Sequence, residues 1–164
     1  MEGQPLATVV DYVRAHTRPD DWVAVFPEER LVNFLAERRH PTRDSGTGPG
    51  WLATKEDEEA CVAELEARRP ALVVLTDRRW PEFGAEDLGS YNPTLRAWID
   101  REYEPVLTTA PNIVRYTIYA PRGKRLAVFG KDRRGRPYDA RAGRSTFPRM
   151  LWYASHGVQH WGHW

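Results

Sequence analysis

The chain has 164 residues, one cysteine and near-balanced charge, with 41% hydrophobic and 29% charged residues. That is one domain's worth of chain with enough apolar content for a packed core. A disulfide framework and a multi-cysteine zinc site are excluded, and the apolar runs are far short of the ~20 residues a membrane helix needs. The N-terminus, MEGQPLATVVDY, lacks the basic and apolar regions of a signal peptide, so a chain standing alone is expected to be cytoplasmic.

In chain order, Leu6, Val9, Val10 and Val13 recur on one helical face and predict a helix over 6–16. Arg18-Pro19-Asp20-Asp21 breaks it, and the apolar run Trp22–Phe26 has the length and composition of a strand. Pro27-Glu28-Glu29 opens a second helix that Arg38 and Arg39 close, acids first and bases last as the helix dipole favours. Its buried stripe is expected to be Leu31, Phe34 and Leu35. A loop rich in Gly, Ser, Thr and Pro follows over 41–51, with at most a short strand at His40–Arg43. Thr54 and Asp57 then have the spacing of a capping box. The helix they open carries Cys61, Val62 and Leu65 inward and ends at Arg68-Arg69-Pro70. Cys61 on that stripe reads as a small buried hydrophobe.

The continuous apolar run Ala71–Leu75 reads as a fully buried central strand. Residues 77–90 read as an irregular connection. Asn92 caps a helix with Pro93 at its first position and Leu95, Trp98 and Ile99 inside. Val106–Thr109 and Ile113–Tyr119, separated by Ala110-Pro111-Asn112, form a hairpin, with Val114, Tyr116 and Ile118 on one face. Strands alternating with helices predict an α/β domain over residues 1–120. The expected form is three-layered and Rossmann-like, with a mostly parallel sheet and an antiparallel edge hairpin.

Charge divides the chain. Residues 1–120 carry a net of −7 and residues 121–164 a net of +8. The second part is a basic extension that becomes aromatic over 147–164. It suits an anionic membrane surface, with arginine at headgroups and tryptophan at the interface, or an anionic polymer; a docking role on its own domain is the alternative, as is an extension with no partner. Nucleic acid is the less favoured partner.

Three sets of residues are candidates for chemistry. In a parallel α/β sheet, ligands bind beyond the carboxyl ends of the strands. Those ends bring Glu28, Asp77, Arg78 and Arg79, which suit a sugar through hydrogen bonds or a phosphate through bidentate arginine; the plainer reading is a helix start and solvated arginines. His156, His160 and His163, spaced four and three apart, would share a helical face and suit a zinc or nickel ion, yet no acid lies in the last twenty residues to orient them. The glycine-rich stretch Asp44–Gly50 lacks the Lys-Ser/Thr ending of a phosphate loop, and Lys55 arrives late. No cofactor is expected.

The segments VVDYVRAHTRPDDWVAVFPEERLVNFLAERRHPTR, ELEARRPALVVLTD and YNPTLRAWIDREYEPV, in that order, resemble successive blocks of the soluble domain of C-superfamily membrane glycosyltransferases, the protein O-mannosyltransferase and aminoarabinose-transferase-like families. The resemblance spans about 115 residues, from 6 to 120. It implies an extracytoplasmic domain beside the membrane part of an enzyme that uses a lipid-linked sugar. The catalytic carboxylates of that family lie between its early membrane helices, a region these residues do not match, so no catalytic residue carries over. The resemblance therefore implies a non-catalytic role in substrate handling or structural support. The alternative is a stand-alone interaction module acting through the basic aromatic extension.

Overall fold

The computed structural model describes residues 3–28, 30–43, 47–80, 82, 87–110 and 114–127. Helix α1 (Gly3–His16) leads to strand β1 (Val23–Phe26) and helix α2 (Arg30–Ala36). Helix α3 (Lys55–Arg68) is followed by strand β2 (Leu72–Thr76). A single-turn helix α4 (Leu88–Tyr91), helix α5 (Pro93–Glu102), and strands β3 (Tyr103–Thr108) and β4 (Tyr116–Pro121) complete the order.

The four strands form one mixed sheet in the order β1-β2-β4-β3. Strands β1 and β2 pair in parallel, Val23 opposite Leu72 and Phe26 opposite Leu75. The other two pairs, β2 with β4 and β3 with β4, are antiparallel. The expected mostly parallel sheet is thus corrected: only the β1–β2 pair has the long helical crossover that parallel pairing requires. The final hairpin instead turns its second strand onto β2, so β2 lies inside the sheet with every residue buried, as the apolar run predicts.

Side chains alternate along the strands and divide the core. Val23, Val25, Leu72 and Val74 join Val9, Val13, Val32 and Ala36 from α1 and α2. Ala24, Phe26, Val73 and Leu75 join Cys61, Leu65, Leu95 and Ile99 from α3 and α5. The period of two thus sends each face of β1 and β2 to a different pair of helices. In β3 that parity breaks. Tyr103 belongs to the second group and Leu107 to the first, although they are four residues apart. The register shift between Pro105 and Leu107 inserts one residue and turns the rest of the strand over.

The predicted capping box forms: Thr54 Oγ1 accepts from Asp57 N–H at 3.1 Å, and the Asp57 carboxylate accepts from Thr54 N–H at 3.1 Å. The expected cap at Asn92 does not, because its side chain makes no capping bond to α5. A buried glutamate from α3 substitutes for it: Glu58 Oε2 accepts from Leu95 N–H, in the first turn of α5, at 3.0 Å. A carboxylate at that end also meets the positive pole of the helix. Helix α4 falls inside the expected irregular connection and starts from its own capping box, Asp87 with Ser90.

The expected inner stripe of α2 is reversed. Val32, Asn33 and Ala36 face the core, while Leu31, Phe34 and Leu35 are 47%, 76% and 38% exposed. The cause lies on β1, whose outer edge has no neighbouring strand among the described residues. Asn33 Nδ2 donates to Val23 O at 2.8 Å, His40 Nε2 to Val25 O at 3.2 Å, and Val23 N–H to Arg39 O at 3.0 Å. An edge carbonyl buried without a donor costs more than a leucine left on the surface, so the helix turns its one amide inward. The short strand expected at His40–Arg43 does not form; an isolated bridge between Trp22 and Arg39 lies just before it.

Beyond β4, Arg122 N–H donates to Glu102 O, the Arg122 guanidinium to the carbonyls of Asp100 and Arg101, and His16 Nδ1 meets Ala127 O at 3.1 Å. The first residues of the extension are thereby fastened to the body. Residues 128–164, with His156, His160 and His163, lie outside the described residues.

Candidate functional site

At the carboxyl ends of β1 and β2 the structure brings the four expected residues to one region but commits most of them. The Asp77 carboxylate accepts from Arg115 N–H at 2.6 Å, and Asp77 N–H donates to Arg115 O at 3.1 Å. This pair continues the β2–β4 ladder by one rung. Glu28 lies 3.8 Å from Arg78, whose guanidinium sits 5.5 Å from the Trp80 ring. Arg79 is exposed. The described part of the glycine-rich loop does reach this end. Thr47 N–H donates to Pro27 O at 2.9 Å, and Gly48 lies against Trp80.

Tyr91 packs edge-on to Trp80, with ring centres 6.0 Å apart. Burial raises its phenol pKa, and the carboxylates of Asp87 and Glu28 push the same way. Its hydroxyl, Thr76 Oγ1 and Asn92 Oδ1 are buried without hydrogen-bond partners among the described residues. Neither Tyr91 nor Trp80 is legible as a site residue from sequence, because both sit in a connection without periodicity.

A further concavity lies elsewhere, a groove of about 440 Å³ beside the edge of β1. Helix α2 forms one wall with Arg30 and Phe34; the 39–43 segment and Trp22 form the other, with Arg39 and Arg43. The Arg39 guanidinium stacks over Trp22 at 4.5 Å, and Arg68 approaches the same ring at 5.3 Å. Arg30, Arg39 and Arg43 have no carboxylate within ion-pair distance among the described residues.

His40 lines the same groove and is held neutral. Burial is the main cause, and nearby Arg30 adds to it, so its pKa falls to about 4 although the Val25 carbonyl favours the charged form. Nε2–H faces Val25 O, while Nδ1 accepts from Thr42 N–H at 3.3 Å and lies 3.0 Å from Thr42 Oγ1. His40 thus serves as a strut between β1 and the 39–43 segment.

Sequence reasoning misses this groove because it takes Phe34 and its neighbours as core. The signal that finds it is Asn33, one amide inside an apolar helical run that must face a backbone carbonyl. Among the described residues no group of three or more His, Cys, Asp or Glu is placed to hold a metal ion, and no helix is long and apolar enough to cross a membrane. Comparison with protein-family models, with curated proteins and with solved structures finds no match.

Proposed function

We propose that this domain works by binding rather than by catalysis, as a substrate-handling or supporting module of the kind attached to lipid-linked-sugar glycosyltransferases. The resemblance of residues 6–120 to that soluble domain supports the reading, as does an α/β sheet with helices packed on both faces, in keeping with a three-layer Rossmann-like plan. The observation that carries it is the outward apolar stripe of α2 beside a groove with three arginines. A chain that buries its small residues and exposes Phe34 presents a surface suited to contact.

The strand-end carboxylates add support. Asp77 is spent on the Arg115 backbone and Glu28 faces Arg78, so both carboxylates are engaged within the chain. As part of such an enzyme the domain would lie on the extracytoplasmic face of the membrane. The test is a transfer assay on the purified chain with a synthetic polyprenyl-phosphate sugar and a hydroxyl acceptor. The reading expects no turnover; turnover that Asp77→Asn removes would overturn it.

A second reading rests on the net charge of +8 and the aromatic residues of 121–164. There the chain is a stand-alone module whose extension meets an anionic membrane. It expects co-sedimentation with phosphatidylglycerol vesicles that weakens with salt, since headgroup attraction is screened within about 10 Å at 0.1 M. Sedimentation unchanged by neutralising Arg133, Arg134 and Arg136 would remove it.

A further inference from the structure

We infer that the groove between α2 and the 39–43 segment docks an acidic peptide segment carrying bulky apolar side chains. The inference rests on the binding role proposed above and adds the partner's chemistry and the place of contact.

Charge is the first ground. The body of the chain, residues 1–120, carries a net of −7, yet Arg30, Arg39 and Arg43 gather on one concavity, Arg30 and Arg39 with no carboxylate within ion-pair distance among the described residues and Arg43 with the Glu64 carboxylate at its backbone N–H. A local inversion of sign on an acidic body attracts anions there and repels them elsewhere. Arg39 is also held in place by its stack on Trp22, so less side-chain freedom is lost when an anion arrives.

The apolar stripe is the second ground. Leu31, Phe34 and Leu35 stand exposed on α2, and of the three Phe34 lines the groove beside Arg30. An anion alone leaves Phe34 in water. A segment with leucine or phenylalanine among its acids covers it, a pattern of aromatic anchor with arginine that recurs in protein interfaces. Arg39, exposed and stacked on half-buried Trp22, lines an open depression of about 440 Å³. The basic 121–164 segment has the wrong sign to fill the groove itself.

The experiment is fluorescence anisotropy of the full chain with three labelled dodecapeptides. One carries leucine and phenylalanine at helical spacing among glutamates, the second has lysine for every glutamate, and the third has serine for every apolar residue. Saturable binding of the first alone is expected. Phe34→Ser and Arg30→Gln should each weaken it roughly tenfold, while Arg101→Gln on α5 leaves it unchanged. Arg39→Gln provides a second probe on the opposite wall, and thermal melts confirm that each variant is folded.

Equal binding of the lysine and glutamate peptides would overturn the inference. So would wild-type affinity in the folded Phe34→Ser and Arg30→Gln variants. Phosphatidylglycerol vesicles sedimenting the wild type but not Phe34→Ser, with no peptide bound, would assign the face to a membrane instead. The transfer assay stands apart, so loss of the peptide site leaves the non-catalytic reading to its own test.

Discussion

Protonation of His40 offers a quantitative test of how the edge of β1 is closed. The imidazole is buried, donates from Nε2 to Val25 O and accepts at Nδ1 from Thr42 N–H. Its pKa is about 4 in the fold against 6.5 in the unfolded chain. The unfolded state therefore takes up the proton first as pH falls, and stability is lost between pH 6.5 and about 4. Above 6.5 the neutral ring costs nothing; below about 4 both states are protonated and the loss levels off. With 1.36 kcal/mol per unit, the full loss is about 3 kcal/mol. On the order of 1 kcal/mol is gone at pH 5.5 and about 2–3 kcal/mol at pH 4.5. The assay is urea unfolding at pH 7.0, 5.5 and 4.5 for the parent and for His40→Gln, whose amide can still donate to Val25 O. Burial also lowers the pKa of His16, and paired carboxylates such as Glu64 titrate at lower pH, but both are common to the two proteins and cancel in the difference. The parent should lose about 2–3 kcal/mol more than His40→Gln on going from pH 7.0 to 4.5. Parallel pH profiles would refute the buried, neutral strut.

Three further outcomes follow from the packing. Val74→Asp places a charge at a fully buried site of the interior strand β2 and should cost several kcal/mol, enough to abolish a cooperative melt; a melt within a few degrees of the parent would contradict the topology. Glu58→Ala should cost about 2 kcal/mol by freeing the Leu95 N–H and the start of α5, and Glu58→Gln less, because the amide oxygen still accepts; chemical denaturation of both variants checks the order. On α2, Val32→Ala should destabilise by about 1–3 kcal/mol and Phe34→Ser by under about 0.5 kcal/mol, the reverse of what an inward Phe34 would give.

What the sequence discloses here is mostly local. The stripe of α1, the runs that become β1 and β2, and the Thr54–Asp57 box depend on contacts a few residues apart, and all three form. The hairpin is legible too, though its strands run Tyr103–Thr108 and Tyr116–Pro121 rather than from Val106 and Ile113. What stays hidden is decided across the fold. Seven residues of α2 have two apolar faces, and the demand of the Val23 carbonyl for a donor selects the one with Asn33. The cap of α5 comes from Glu58, 37 residues upstream of Leu95, so no motif near Asn92 reveals it. The Asp87–Ser90 box of α4 was available in the sequence but lies in a stretch without apolar periodicity. Of the candidate site, Glu28 and Arg78 do meet, yet Asp77 serves the sheet, and the basic groove emerges only when Phe34 turns outward.

The groove beside α2 is the proposed working surface of the domain. The most direct measurement is a ¹H–¹⁵N chemical-shift map of the full chain during titration with the glutamate–leucine–phenylalanine peptide. The account predicts saturating shifts at the backbone amides of residues 30–43 and at the Trp22 indole, with the amides of 76–80 and 115 unmoved. Shifts confined to the carboxyl ends of β1 and β2, or spread across residues 121–164 without change over 30–43, would contradict it.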